Sequence, residues 1–334
     1  MGRYNRNLSA PFYPLLRNPH LLTIAGNFWR REIDGVRFPA TRVEYAIDAR
    51  TSVVAYEHQP VGRARGQIIF LHGLEGSADA GYIASFAQQA LERGYAVHRL
   101  NMRTCGGTEA LSETMYHSGL TGDPRFVCER VAARGLGPRF VVGFSLGANV
   151  ALKLAGELGA SHLLSGICAI SAPIDLAACV RAIDRPSNIL YARRFVSRLC
   201  DRVKRKSMLS PGIYHTAALA QVNSIWSFDD AFTAPLFGFG TAANYYATQS
   251  AANFLSAIRI PTLAITAQDD PLVPFEIYRH EAFERNSALT LLAPRHGGHL
   301  GFLSRARPRF WLDNICLDWL DNISKGEPMQ KLNA

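Results

Sequence analysis

The stretch from Arg139 to Gly156, RFVVGFSLGANVALKLAG, constrains the fold of this chain more than any other. Phe140-Val141-Val142 is a short, wholly apolar run rich in β-branched residues, as expected of a parallel-sheet strand buried on both faces. The chain must then turn within Gly143-Phe144-Ser145-Leu146-Gly147, because Val150, Leu154 and Leu158 already fall on one face of a helix. A serine held in so tight a turn needs neighbours without a Cβ, and the turn lifts its hydroxyl above the sheet. Strand, G-x-S-x-G and helix together form the context of a nucleophile elbow. The bare pattern is weak, since it should arise by chance in roughly one chain of this length in ten. It gains weight only if an acid and then a histidine follow, each past the end of a later strand.

The chain supplies such strands. Residues 41–47 and 52–56 alternate in polarity and suggest an antiparallel pair at a sheet edge. Residues 67–71 read as a buried strand running into His72-Gly73, and a helix over 82–93 closes at Gly94. A strand at 96–100 leads to the loop Cys105-Gly106-Gly107, and Asp123-Pro124 starts a helix reaching about residue 134. The strand at 166–170 follows the elbow helix. Alternation stops after Pro173 and resumes with a strand at 261–266, a helix over 275–284 and a strand at 289–292. A closing helix from about Pro308 puts Trp311, Ile315 and Trp319 on one side. The expected class is α/β, a mostly parallel twisted sheet of about eight strands with helices on both faces. Residues 35–173 and 259–325 form the expected core, and 174–258 a helical insertion read as a cap over the site. Residues 1–34 are an N-terminal segment with little periodic structure, packed on the core. Residues 326–334 are an expected mobile tail.

In open α/β sheets, functional groups gather at the carboxyl ends of the strands. The 261–266 strand runs into Asp269-Asp270-Pro271, and the last strand is followed by His296-Gly297-Gly298-His299. The order Ser145, acid, histidine is therefore met. A neutral imidazole takes the serine proton and later protonates the leaving group, while the carboxylate fixes its tautomer. Asp270 is preferred because it stands directly before Pro271-Leu272-Val273-Pro274 and the next helix, with Asp269 as its alternative. His299 is preferred over His296 because Gly297, Gly298 and Gly301 let its loop fold back over Ser145. The backbone N–H groups of Leu146 and Leu74 are the candidate oxyanion donors, each such donor contributing about 3–4 kcal/mol to transition-state stabilisation. His72 is expected to brace its own turn, and Cys105 to be a structural thiol. His296 and His299, three apart in a glycine loop, fall short of a zinc set, so no metal is expected.

Composition limits the alternatives. Apolar residues make up 48% and charged residues 19% of the 334, a globular balance without a disordered block. The N-terminal segment lacks an apolar signal region, and Arg6 stands where N-myristoylation wants Ser or Thr. No run of 18 apolar residues is present, so no transmembrane helix is expected. Six scattered cysteines without a C-x-x-C fit free thiols in a reducing cytoplasm. The net charge of +9 permits attraction to anionic membranes or nucleic acid, but no motif supports nucleic-acid binding. Residues 189–206 form an amphipathic pattern, with Ile189, Val196, Leu199 and Val203 on one face. Arg194, Arg198, Arg202 and Arg205 lie on the other, as a solvated cap face or a patch for peripheral contact with anionic lipid.

Several motifs together resemble the α/β-hydrolase superfamily, and within it the YheT-like, AB hydrolase-4 family. They are HGLEGS (His72 to Ser77), NMRTCGG (Asn101 to Gly107), GFSLGAN (Gly143 to Asn149), PTLAITAQDDPLVP (Pro261 to Pro274) and GGHLGF (Gly297 to Phe302), with NPHLLTI (Asn18 to Ile24) before them. The resemblance implies a triad of Ser145, Asp270 and His299 with oxyanion donors at Leu74 and Leu146. It implies hydrolysis of carboxylic esters, with acylglycerol- or phospholipid-acting members among the relatives, but the substrate does not carry over because the insertion matches weakly. The expected reaction is cleavage of short- or medium-chain acyl esters, with acylglycerols or phospholipids as further candidates, through an acyl-enzyme and without a cofactor. Acyl transfer or perhydrolysis by the same triad, and a catalytically silent binding protein, are the alternatives. One departure is Thr104, where the family often has glycine between Arg and Cys; it leaves the backbone conformation of that loop open.

Overall fold

The computed structural model describes residues 11–29, 31–135 and 137–325. The expected tail at 326–334 and residues 1–10 of the expected N-terminal segment lie outside them. Eight strands form one sheet: β1 (Thr41–Asp48), β2 (Thr51–His58), β3 (Gly66–Leu71), β4 (Tyr95–Asn101), β5 (Arg139–Phe144), β6 (Gly166–Ile170), β7 (Thr262–Ile265) and β8 (Leu289–Leu292). Their order is β1-β2-β4-β3-β5-β6-β7-β8. β2 pairs antiparallel with β1 and β4, and every other pairing is parallel. The edge hairpin and the parallel core thus agree with the expectation.

The uninterrupted apolar runs are explained by two cores. Along β5, Phe140, Val142 and Phe144 pack on one face of the sheet and Val141 on the other. β3 does the same with Ile68 and Phe70 against Ile69 and Leu71. A strand covered on both sides has no solvent face, so the alternation of side chains leaves no polar alternation in sequence. Each fully buried side chain of this size contributes about 1.5–3 kcal/mol. Helix α2 (Gly81–Glu92) and the C-terminal helix Trp311–Ser324 cover one face, the latter through Trp311, Ile315 and Trp319. Helices α3 (Gly122–Ala132) and α4 (Leu146–Leu158) cover the other. α4 is buried nearly all round, since a Cβ on Gly156 would lie 2.6 Å from the Phe254 backbone oxygen.

The described segment between β6 and β7 contains helices and no strand, among them α5 (Leu176–Ile183), α6 (Ile189–Leu209), a helical run at 225–236 and the helix Ala242–Gln249. Among the described residues no helix is long and apolar enough to cross a membrane.

Two expectations fail. The N-terminal region contains a helix, α1 (Pro19–Phe28), whose start is fixed by Asn18 capping the Leu21 N–H and by Pro19 at the first helical position. The Asn-Pro pair is the signal the sequence offers for its start. The helix expected at 275–284 is instead a 3₁₀ turn, Phe275–Tyr278, and a short helix, Ala282–Arg285. Tyr278 is pulled inward, its hydroxyl donating to the Ala172 carbonyl at 2.7 Å, and His280 Nδ1 accepts the Ala282 N–H across the break.

Candidate active site

The elbow has the geometry that its sequence demands. Ser145 sits at φ 52°, ψ −120°, in the left-handed half of backbone space that a residue with a Cβ rarely enters. A Cβ on Gly143 would lie 2.4 Å from the Gly147 oxygen, and one on Gly147 2.4 Å from the Leu71 oxygen. Both glycines are therefore required by close approach of backbone. The Ser145 N–H donates to the Ile170 carbonyl at 2.8 Å, which ties the turn to the end of β6.

The Ser145 hydroxyl lies 2.9 Å from His299 Nε2. His299 Nδ1 faces Asp270, at 2.9 Å from Oδ2 and 3.2 Å from Oδ1. The Asp270 side chain is wholly buried and also accepts the N–H groups of Leu272 and Val273, at 2.9 and 3.0 Å. A carboxylate facing Nδ1 favours the tautomer that carries its proton on Nδ1, which leaves Nε2 free to accept from serine. The neighbouring candidates form a second pair: His296 Nδ1 lies 3.0 Å from Asp269 Oδ2, and Asp269 Oδ1 accepts the Gly298 N–H at 3.0 Å. Leu74 and Leu146 line the same cavity as Ser145 and His299. Gly73 brings the Leu74 loop close, since a Cβ on it would stand 3.2 Å from the Ser145 Cβ.

His72 braces this loop as expected. Its Nδ1 bonds the Gly73 carbonyl at 2.8 Å and its Nε2 accepts the Met102 N–H at 3.1 Å. Burial lowers it to about 4, so the ring is neutral. Burial likewise pushes the Cys105 thiol up to about 12, the condition of an inert structural cysteine.

Three contributions were not visible in the sequence. First, α1 carries the histidine loop: Thr23 Oγ1 accepts the His299 N–H at 2.8 Å and donates to the Pro19 carbonyl at 2.7 Å. The loop glycines make room for that helix. A Cβ on Gly298, at φ 57°, would lie 2.5 Å from the Pro19 oxygen, and one on Gly26 2.8 Å from the Gly301 Cα. Second, Arg202 belongs to the buried face of α6 and is no part of a solvated stripe. It forms a two-pronged pair with Glu75, both contacts at 2.9 Å, and donates to the Thr104 carbonyl. Glu75 (φ 55°) and Thr104 (φ 61°) both adopt left-handed backbone, so the loop left open by Thr104 takes the conformation a glycine would take and its carbonyl is met by Arg202. Lys206 is also turned inward, donating to the Glu109 carbonyl at 3.1 Å and to Ser112 O. The helical wheel failed here because buried acceptors lie beneath the helix, supplied by loops about a hundred residues away.

Third, two chambers meet at Ser145. The inner one, about 90 Å³, is lined by Leu176, Val180, Phe195, Leu199 and Phe228 and bears polar groups as well. Among these, Asp229 accepts from Tyr246 Oη at 2.5 Å and Thr233 Oγ1 at 2.6 Å, and burial raises it to about 6. His117 is lowered to about 3, by burial first and then by the charges of Lys153 and Arg103. The outer chamber, about 640 Å³, opens between α1, the 73–82 loop and α6.

An open, mostly parallel sheet with a serine on the elbow after β5 and a histidine beyond β8 defines a hydrolase architecture. The chain belongs to the alpha/beta hydrolase fold family, which matches residues 66–306. It is 29% identical over 320 residues to YheT of Escherichia coli (strain K12), which carries an esterase name, covering 93% of each chain. It is also 29% identical to the phospholipase ABHD3 of Mus musculus, over 73% of this chain and 60% of that one. The monoacylglycerol lipase of Saccharomyces cerevisiae is 26% identical, over 76% of this chain and 58% of that one. Among solved structures, an esterase of Pyrococcus furiosus superposes with a TM-score of 0.54 at 16% identity, covering 95% of this chain and 97% of the other. The YheT-like resemblance read from the motifs is thus borne out, and these relatives carry esterase and lipase names.

Proposed function

We propose that this protein is a serine hydrolase that cleaves carboxylic esters through an acyl-enzyme. The observation that carries this reading is the His299 ring set between the Ser145 hydroxyl and the Asp270 carboxylate, at 2.9 Å from each. Ser145 Oγ bonds to the ester carbonyl carbon while its proton passes to His299 Nε2. The oxyanion is met by the N–H groups of Leu146 and Leu74, and the imidazolium by Asp270. Collapse breaks the ester C–O bond, with the His299 proton leaving on the alcohol. Water then repeats the sequence on the acyl-enzyme and frees the acid.

In this reading the inner chamber takes the acyl chain and the outer chamber the alcohol. The helical residues 174–258 act as a cap, since α5, α6, the 225–236 run and the helix Ala242–Gln249 together supply more than half of the inner wall. Six free cysteines, five of them buried, fit a reducing cytoplasm.

The test is labelling with a fluorophosphonate probe, beside Ser145→Ala, followed by hydrolysis of p-nitrophenyl esters of increasing acyl length. Labelling confined to the serine protein and a rate that peaks at one chain length are expected. A wild-type protein that neither labels nor turns over any ester overturns the reading.

A further inference from the structure

α1 has two faces with different fates. Leu22, Thr23 and Gly26 are buried against the histidine loop. On the opposite side Leu21, Ile24 and Phe28 recur at spacings of three and four and are exposed, Leu21 to 54% and Phe28 to 69%. A 10-residue helix in a globular protein normally turns such a stripe inward. α6 begins beside it and continues the apolar surface. His20 and Tyr191 stack at 5.9 Å, Arg194 lies over the Phe28 ring at 5.9 Å, and Ile189 and Leu190 are exposed, Leu190 to 76%. Isolated exposed apolar side chains need no explanation, but a contiguous set on two adjoining helices does.

The charges on the first turns of α6, residues 189–198, are of one sign. Farther along α6, Arg202, Lys204 and Arg205 are paired with Glu75, Asp201 and Glu109. Arg194 and Arg198 are exposed, and no carboxylate among the described residues lies within ion-pair distance of either. Burial, and after it the nearby Arg198 charge, lowers Arg194, as expected of two uncompensated guanidiniums. Arg193 adds a third exposed cation on the same turn. The patch also has a definite position: Ile24, Phe28, Tyr191, Arg194 and Arg198 form one rim of the outer chamber, which reaches Ser145 and His299.

We propose that this face, the outer stripe of α1 with the start of α6, docks on an anionic lipid surface and presents the mouth of the active site to it. The occupant follows from the combination: apolar side chains reaching past exposed arginines match an acyl layer beneath anionic headgroups, and the adjoining chamber leads to the reactive serine. The basic helix identified in the sequence is only half of the device, and α1 is the other half. The inference extends the esterase reading without depending on it, because docking is measurable with Ser145→Ala.

The experiment is co-sedimentation of the full chain with phosphatidylcholine vesicles with and without about a third phosphatidylglycerol. The variants are Leu21→Ser/Leu190→Ser and Arg193→Gln, at positions outside the chamber lining. Binding to the anionic vesicles that weakens with salt is expected. It should fall about tenfold or more in the leucine double variant, and about fivefold in Arg193→Gln. Unchanged melting and unchanged turnover of a short, monomeric p-nitrophenyl ester show that the leucine variant is folded. Absence of salt-sensitive vesicle binding overturns the proposal, as does binding that the leucine double variant leaves intact. A wild-type dimer that the leucine variant dissociates, with no vesicle binding, assigns the face to a second copy of this chain and overturns it too.

Discussion

Two aspartate–histidine pairs stand side by side past the ends of β7 and β8, made from adjacent aspartates and from histidines three residues apart. Asp270 and His299 are joined at 2.9 Å, and Asp269 and His296 at 3.0 Å. What separates them is their surroundings. The Asp270 carboxylate is fully buried, its ring partner is 11% exposed, and that ring's far nitrogen meets Ser145. The His296 ring is 40% exposed, and Asp269 uses its other oxygen to hold the Gly298 N–H, so this pair fastens the loop that carries His299. The same chemical pair thus serves as a candidate proton relay in one place and a loop brace in the other. Only water exclusion and the third group decide which, because a charge pair is worth little in water and far more in a dry site.

The comparison is broken most sharply at the histidines. His299→Ala should lower kcat by about 10⁴-fold or more, while His296→Ala should cost less than about tenfold, measured on one p-nitrophenyl ester. Equal losses would mean the pairs have been assigned wrongly. Next come the carboxylates. Asp270→Asn keeps the shape but removes the charge that fixes the His299 tautomer, and kcat should fall about 10³–10⁴-fold. Asp269→Asn still offers an oxygen to the Gly298 N–H, and its effect on kcat should stay within about threefold.

Thr23→Val sharpens the comparison from outside the pairs. It strips the His299 N–H of its acceptor, leaving a partly buried donor unsatisfied at up to about 1–3 kcal/mol, and it frees the ring to shift. We expect kcat about tenfold lower with KM within about twofold, because the residue positions a reacting group without holding substrate. A KM effect alone would assign Thr23 to binding instead.

His72 extends the series to complete burial, and its effect is the smallest. Its ordinary value of 6.5 is lowered to about 4 in the fold. Between those values the unfolded chain binds a proton that the folded ring refuses. Stability referable to His72 is therefore complete above about 6.5 and is lost as pH falls toward 4, by up to about 1.4 kcal/mol per unit. Urea midpoints at pH 7 and pH 5 should differ less in His72→Gln than in the wild type. The difference between the two proteins isolates this group from Asp229 and Asp313, which burial raises to about 6 and which therefore act in the opposite direction.

The sequence alone determined whatever short-range pattern can encode. The apolar runs marked the strands, and G-x-S-x-G marked a turn in which Gly143 and Gly147 have no room for a Cβ. The order Ser145, Asp270, His299 followed from strand ends, because parallel topology brings those ends to one edge. Tertiary structure decided everything that depends on what lies opposite a side chain. Arg202 reads as a solvated arginine in any helical wheel, yet it is buried because Glu75 and Thr104 offer a carboxylate and a carbonyl beneath α6. Thr104 stands where the resemblance leads one to expect glycine, a substitution that leaves the backbone open in sequence, and the fold gives it a left-handed backbone whose carbonyl Arg202 meets. Thr23 reads as part of an N-terminal segment with little pattern, yet it accepts the N–H of a histidine 276 residues away. Periodicity reports a residue's neighbours three or four positions along the chain. The partner that fixes its role arrives only when distant strands have been laid side by side.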